Sequence, residues 1–175
     1  MRKKKILILL IITIISVFSY LGYNIITKAK EKNKIAKQIK TIPQFELQTL
    51  DRIPFTNANL KPNTSIIFIY FNSECDFCQH EAKSISNNLN DFKNVQFIFV
   101  STEDIAIIKQ FSAEYELNNK PNITFLYDNS SHFANQFNAQ SIPYILIYNQ
   151  NNQLIRKQNG QLNANGILRV INQND

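Results

Sequence analysis

Ser65-Ile-Ile-Phe-Ile-Tyr-Phe71 is a continuous apolar run of strand length, and no other feature constrains the fold as strongly. A strand without polar alternation has both faces covered, as in a parallel sheet flanked by helices. The segments that follow fit such a sheet. Cys78, Ala82, Ile85, Leu89 and Phe92 recur at spacings of four, three, four and three, which is one face of a helix. Residues 95–100 read as a second buried strand. Ser101 and Thr102 offer N-caps to a second helix whose inner face carries Ile108, Phe111 and Tyr115. Ile123 to Tyr127 reads as a third strand, and Phe133 and Phe137 sit four apart on a short helix. Residues 143–148 and 154–157 flank a turn at 149–152, which predicts a hairpin. A last helix over 166–172 carries Ile167, Val170 and Ile171. The order β-α-β-α-β-α-β-β-α implies an α/β fold with a parallel core and an antiparallel edge. Asn is abundant (24 residues) and Gly scarce (3), so Asn takes over much of the turn work that needs left-handed backbone.

The N-terminus is of another kind. Met1-Arg-Lys-Lys-Lys5 is a cationic head, and residues 6–27 follow without a charge. As a helix this run would be about 33 Å long, enough to cross a bilayer core. Tyr20 and Tyr23 near its far end suit a membrane–water interface. An uncleaved anchor over residues 1–27 is one reading. The other is a signal peptide whose apolar stretch ends near Ile15, with Val17-Phe-Ser19 offering a cleavage site. Residues 28–40 read as a lysine-rich helical spacer, and 41–175 as the folded domain. The expected topology is single-pass in a bacterial cytoplasmic membrane, with the N-terminus in the cytoplasm and the domain on the outer, periplasmic side.

The net charge of +6 hides this division. Residues 1–40 carry 10 basic residues and one acid, whereas 41–175 carry 9 basic residues and 12 acids. A nucleic-acid footprint on the folded part is therefore not expected, because phosphate binding needs clustered Lys and Arg there.

Cys75-Asp-Phe-Cys78 holds both cysteines of the chain, between the first buried strand and the amphipathic helix. First-turn helix amides are unpaired and the macrodipole is positive at that end, so Cys75 is expected to be the more acidic thiol. Cys78 faces inward with the apolar stripe and can resolve a mixed disulfide formed on Cys75. A structural staple is a weak reading, since the pair closes a very small loop. A zinc site needs about four ligands, and only His80 and His132 remain to complete one. A copper chaperone using Cys75, Cys78 and His132 is a non-enzymatic alternative, because soft thiolates suit Cu(I).

The chain resembles the TlpA/ResA type of membrane-anchored thioredoxin-like thiol-disulfide oxidoreductase. Pro43-Gln-Phe45-Glu-Leu47 is similar to the family's opening segment. Residues 66–71 leading into the two cysteines and Glu81 resemble its strand, C-x-x-C motif and acidic helix position. The stretch from Phe137 to Ile142-Pro143 and on to Tyr148 resembles the loop that carries its cis-proline. The resemblance implies a thioredoxin-like fold, a mixed central sheet with flanking helices after a transmembrane helix. It implies attack by Cys75, resolution by Cys78 and a redox-active Cys75–Cys78 disulfide with no other cofactor. It also implies a cis Pro143 that turns the backbone of Ile142 toward the sulfurs to pair with an incoming peptide. The implied partners are proteins bearing disulfides or thiols, and an upstream membrane electron donor.

The departures from the family pattern also carry information. Glu74 stands where an aromatic is usual before the first cysteine, and Phe77 where a proline is usual before the second. Ile69 replaces the buried acid of ordinary thioredoxins, so proton transfer at Cys78 needs another carboxylate. Glu81 is the candidate; a solvated helix glutamate is the competing reading. Glu74 and Asp76 place negative charge near Cys75, which favours a reductant over an oxidant. A peroxiredoxin is a further alternative. That class requires Thr or Ser three residues before its reactive cysteine, and Asn72 stands there.

Overall fold

The structure is a computed structural model that describes residues 2–174, with side chains from residue 16 onward. It divides into two compact units, Met1–Lys37 and Gln38–Asp175. The first unit is helical: α1 runs over Arg2–Gln38 and spans both the apolar run and the lysine-rich stretch. Much of the expected anchor, residues 6–15, lies outside the described side chains. Among the described residues no helix is long and apolar enough to cross a membrane. The described part of the apolar run exposes Val17, Phe18, Tyr20, Leu21, Tyr23, Ile25 and Ile26.

The second unit is built on a seven-stranded sheet of order β2-β1-β5-β4-β3-β6-β7. The strands are β1 (Glu46–Thr49), β2 (Pro54–Thr56), β3 (Ser65–Tyr70), β4 (Val95–Ser101), β5 (Ile123–Tyr127), β6 (Tyr144–Tyr148) and β7 (Leu154–Asn159). The helices are α2 (Asp76–Asn87), α3 (Ile105–Glu114), α4 (His132–Phe137) and α5 (Ala164–Asn172). β3, β4 and β5 are parallel, and β6, β7 and β1 join antiparallel. From β3 onward the order matches the expected alternation. All six residues of β3 are buried, as a run apolar on both faces requires. Asn carries the turns as expected: Asn63, Asn94, Asn119, Asn138 and Asn152 all adopt positive φ.

The structure corrects three local expectations. A hairpin, β1–β2, precedes β3. Each of its short strands carries a single inward residue, Leu47 facing Phe55 across the ladder, which is too little periodicity to read as a strand. Helix α2 stops at Asn87, where the Asn87-Asn88 pair is a poor continuation. The Asn88 side chain instead donates to the Ser84 carbonyl at 2.8 Å. Phe92 still reaches the core, edge-on to Phe97 at 4.8 Å, after a 3₁₀ turn at Leu89–Asp91. Ser101 and Thr102 do not cap α3. Ser101 completes β4 and Asp104 holds the cap position.

Helices α2, α3 and α5 cover one face of the sheet, where Cys78, Ala82, Ile85, Ile108, Phe111 and Ile167 join one buried cluster. On the other face Phe68 lies at the centre of an aromatic group. Its ring centroid is 5.5 Å from Phe45, 5.6 Å from Phe133, 5.5 Å from Phe137 and 6.0 Å from Tyr148. Phe68→Ala is expected to cost about 3–5 kcal/mol, since rings on four sides cannot all collapse into the void. Urea unfolding checks this: the midpoint should fall with an unchanged slope.

Candidate active site

The site forms where β3 leaves the sheet. Phe71 continues the strand by donating its N–H to the Val100 carbonyl at 3.0 Å. The chain then turns through Asn72, Ser73 and Glu74 to Cys75, the N-cap residue of α2. The Cys75 carbonyl accepts the N–H groups of Cys78 (2.9 Å) and Gln79 (3.0 Å), which starts the helix. Its side chain makes no capping bond, and its sulfur faces the Ile142 carbonyl oxygen at 3.8 Å. Cys75 is partly exposed and Cys78 is buried; both are free thiols here.

One helical turn carries the next two groups. Cys78 lies in the first turn of α2, and Glu81 three residues on shares its inward face. The Cys78 thiol is raised well above its ordinary value of 9.0, chiefly by burial. The Asn72 backbone amide offsets part of this, while the Cys75 side chain and the Glu81 charge add to it. Glu81 is 0% exposed, and among the described residues no group meets full hydrogen-bond geometry with either carboxylate oxygen. Burial lifts its carboxyl well above the usual carboxylate range. The Leu162 backbone amide offsets part of that, and the charge of Cys75 adds to it. The solvated-glutamate reading of Glu81 is therefore set aside.

The loop before β6 closes the site. The Ile142–Pro143 peptide bond is cis. Pro143 is buried, and its carbonyl accepts the Gly160 N–H at 2.8 Å. Ile142 is 42% exposed beside Cys75, and Phe77 on the first turn of α2 is 62% exposed. The structure thus brings together Cys75, Cys78, Glu81, Ile142 and Pro143.

It does not bring the histidines to them. His80 is exposed on α2. His132 opens α4, where its N–H donates to Asp128 Oδ1 at 2.8 Å. Among the described residues no three His, Cys, Asp or Glu side chains cluster to hold a metal ion, so the zinc and copper ligand sets are not assembled. A cavity of about 860 Å³ lies elsewhere, lined by Phe45, Leu47, His132, Phe133 and Phe137 among others, and contains neither cysteine.

One residue of the site carries no sequence signal. Glu103 accepts the Ser73 N–H at 2.7 Å and the Ser73 hydroxyl at 2.6 Å, two residues before Cys75. It reaches Ser73 from 30 positions away, across the parallel β3–β4 pair, so no local spacing announces it.

A parallel-cored sheet with a dithiol at the start of a helix and a cis-proline beside it defines a thioredoxin-like redox protein. Residues 39–164 match the AhpC/TSA family, and the chain belongs to that family. No curated protein matches the chain in sequence. Solved structures share the fold. A secreted Mycobacterium tuberculosis disulfide oxidoreductase homologous to E. coli DsbE is 22% identical, with a TM-score of 0.63 over 74% of this chain and 96% of that one. StoA from Bacillus subtilis is 13% identical, with a TM-score of 0.59 over 75% and 98%. Peroxidoxin BcpB from Mycobacterium tuberculosis is 14% identical, with a TM-score of 0.64 over 76% and 94%. These likenesses establish the architecture; the reaction has to be argued from the site.

Proposed function

We propose that this chain is a thiol-disulfide oxidoreductase of the TlpA/ResA type that reduces disulfides of partner proteins on the outer side of a membrane. The observation that carries the reading is the arrangement of the two thiols. Cys75 is reachable on the N-cap with its sulfur against the Ile142 carbonyl, while Cys78 is buried on the same inward helix face as the buried Glu81 carboxyl.

The Cys75 thiolate attacks one sulfur of a partner disulfide. The partner's S–S bond breaks, and its other sulfur leaves as a thiolate that takes up a proton. A mixed disulfide now joins Cys75 to the partner. Cys78 then loses its proton and attacks the Cys75 sulfur, and the partner's second thiolate departs. The partner has gained two electrons, and the chain is left with a Cys75–Cys78 disulfide. An upstream membrane electron donor restores the dithiol. Glu81 is placed to take the Cys78 proton, because it sits one turn away and holds a carboxyl kept from water. The exposed Phe77 and Ile142 offer apolar surface on which a partner segment rests. The cationic head, the uncharged run over 6–27 and the exposed apolar residues from Val17 to Ile26 support a membrane anchor with the domain outside.

A peroxidase reading takes support from the family match and from the peroxidoxin likeness. Asn72, three residues before Cys75, lacks the hydroxyl that the peroxiredoxin resemblance calls for. One assay set separates the readings. The purified full-length chain should precipitate insulin in dithiothreitol faster than dithiothreitol alone, consume little hydrogen peroxide and hold no stoichiometric metal. Peroxide turnover without insulin reduction would make it a peroxidase. Stoichiometric copper without reductase activity would make it a chaperone.

A further inference from the structure

We infer that Glu103 is a positioning residue for the dithiol, acting through Ser73 without touching either sulfur. The inference rests on the reductase chemistry proposed above. The Glu103 carboxylate accepts the Ser73 N–H through Oε2 at 2.7 Å and the Ser73 hydroxyl through Oε1 at 2.6 Å. Both are charge-assisted and short, the stronger kind of hydrogen bond. The carboxylate is fixed in turn. Ser101, the last residue of β4, donates its hydroxyl to Oε2 at 3.1 Å and accepts the Glu103 N–H at 3.2 Å. The remaining polar group of Ser73, its carbonyl, accepts the Gln79 side-chain amide at 2.8 Å. Every hydrogen-bonding group of Ser73 is therefore held, from β4 on one side and from α2 on the other.

The residues on either side of Ser73 carry the chemistry. Asn72 favours the Cys78 thiolate through its backbone amide, against the effect of burial. Its side-chain oxygen accepts the Glu74 N–H at 2.9 Å, and its carbonyl accepts the Cys75 N–H at 3.3 Å. Moving Ser73 would therefore move the Asn72 amide away from Cys78 and Cys75 away from Ile142 together. The loop lacks glycine and proline, so its own backbone does not fix this shape, and the pin comes from the neighbouring strand.

The full-length chain with Glu103→Ala should reduce insulin about tenfold more slowly or worse, since displacement of a reacting group by an ångström is costly. The loss should fall on kcat, with KM little changed, because Phe77 and Ile142 still present the docking surface. Glu103→Gln keeps an oxygen for the Ser73 N–H and should recover most of the rate. Ser73→Ala should slow the reaction severalfold. The double variant with Glu103→Ala should be no slower than Glu103→Ala alone, as both act through the same bonds. If Glu103→Ala fails to fold by circular dichroism, Ser73→Ala and Glu103→Gln carry the test. An active wild type with kcat unchanged by Glu103→Ala, or by Ser73→Ala where Glu103→Ala does not fold, overturns the positioning role. An effect confined to KM, or no rescue by Gln, also overturns it. An inactive wild type overturns the reductase reading itself.

Discussion

Cys78→Ser is expected to accumulate mixed disulfides between Cys75 and partner proteins, whereas Cys75→Ser should accumulate few and reduce insulin on the order of a thousandfold more slowly, or not at all. The asymmetry follows from where the two sulfurs lie. The partly exposed Cys75 sulfur sits at the mouth of the site, 3.8 Å from the Ile142 carbonyl and beside the exposed Phe77. Cys78 is buried, and burial holds its proton to high pH, so its thiolate is scarce until a mixed disulfide forms next to it. Iodoacetamide at pH 8 should therefore alkylate Cys75 well before Cys78 in the reduced wild type, read from the fragment ions of the tryptic peptide over 53–83, which holds both cysteines. Recovery of the trapped complexes on non-reducing gels from its own cells would also identify the partner. Equal alkylation of the two thiols, or trapping by Cys75→Ser in place of Cys78→Ser, would reverse the assigned roles.

How much of this site was legible in the sequence depends on whether the signal is local. The dithiol's place after a strand and at a helix start could be read, because β3 is apolar on both faces and the inward face of α2 repeats over three turns. The shared face of Cys78 and Glu81 follows from helical spacing alone, but the burial of Glu81 does not. A glutamate on an apolar face reads equally well as a side chain that reaches water. Only the packing of α2 against the sheet and α5, with Leu162 close by, decides between them. The cis state of Pro143 came from family resemblance, since the residues around it fit a trans proline opening a strand just as well. The Ser73–Glu103 clamp was invisible for a different reason. It is set by the register that places Tyr70 opposite Val100 in the β3–β4 pair. The β1–β2 hairpin escaped because its apolar content is one residue per strand. Periodicity thus recovered the elements that bury much surface, while contacts between elements required the assembled sheet.

The buried carboxyl should leave its mark on stability as well as on rate. Glu81 titrates near 4.5 when unperturbed, and in the native protein burial lifts it well above that. Below about pH 4.5 both native and unfolded chains hold the proton, and the native state keeps its full advantage there. As pH rises, the unfolded chain releases its proton first, so stability declines by about 1.4 kcal/mol per pH unit until the native carboxyl also ionises. Glu81→Gln should abolish this decline while preserving shape. Urea midpoints of wild type and Glu81→Gln, measured in parallel from pH 4 to pH 8, should diverge in favour of the variant as pH rises and level off where the native carboxyl ionises, the form that can accept the Cys78 proton. Parallel curves would mean that the carboxylate finds water or a partner in solution. The same substitution removes the base next to Cys78, so resolution of a preformed Cys75–peptide mixed disulfide should slow by about a hundredfold. Attack by Cys75 on that peptide disulfide should change far less. A variant more stable at neutral pH yet slower in the second step is the signature of a carboxyl kept dry for proton transfer. If the variant gains stability and resolves at the wild-type rate, Glu81 is a buried acid without a part in the exchange.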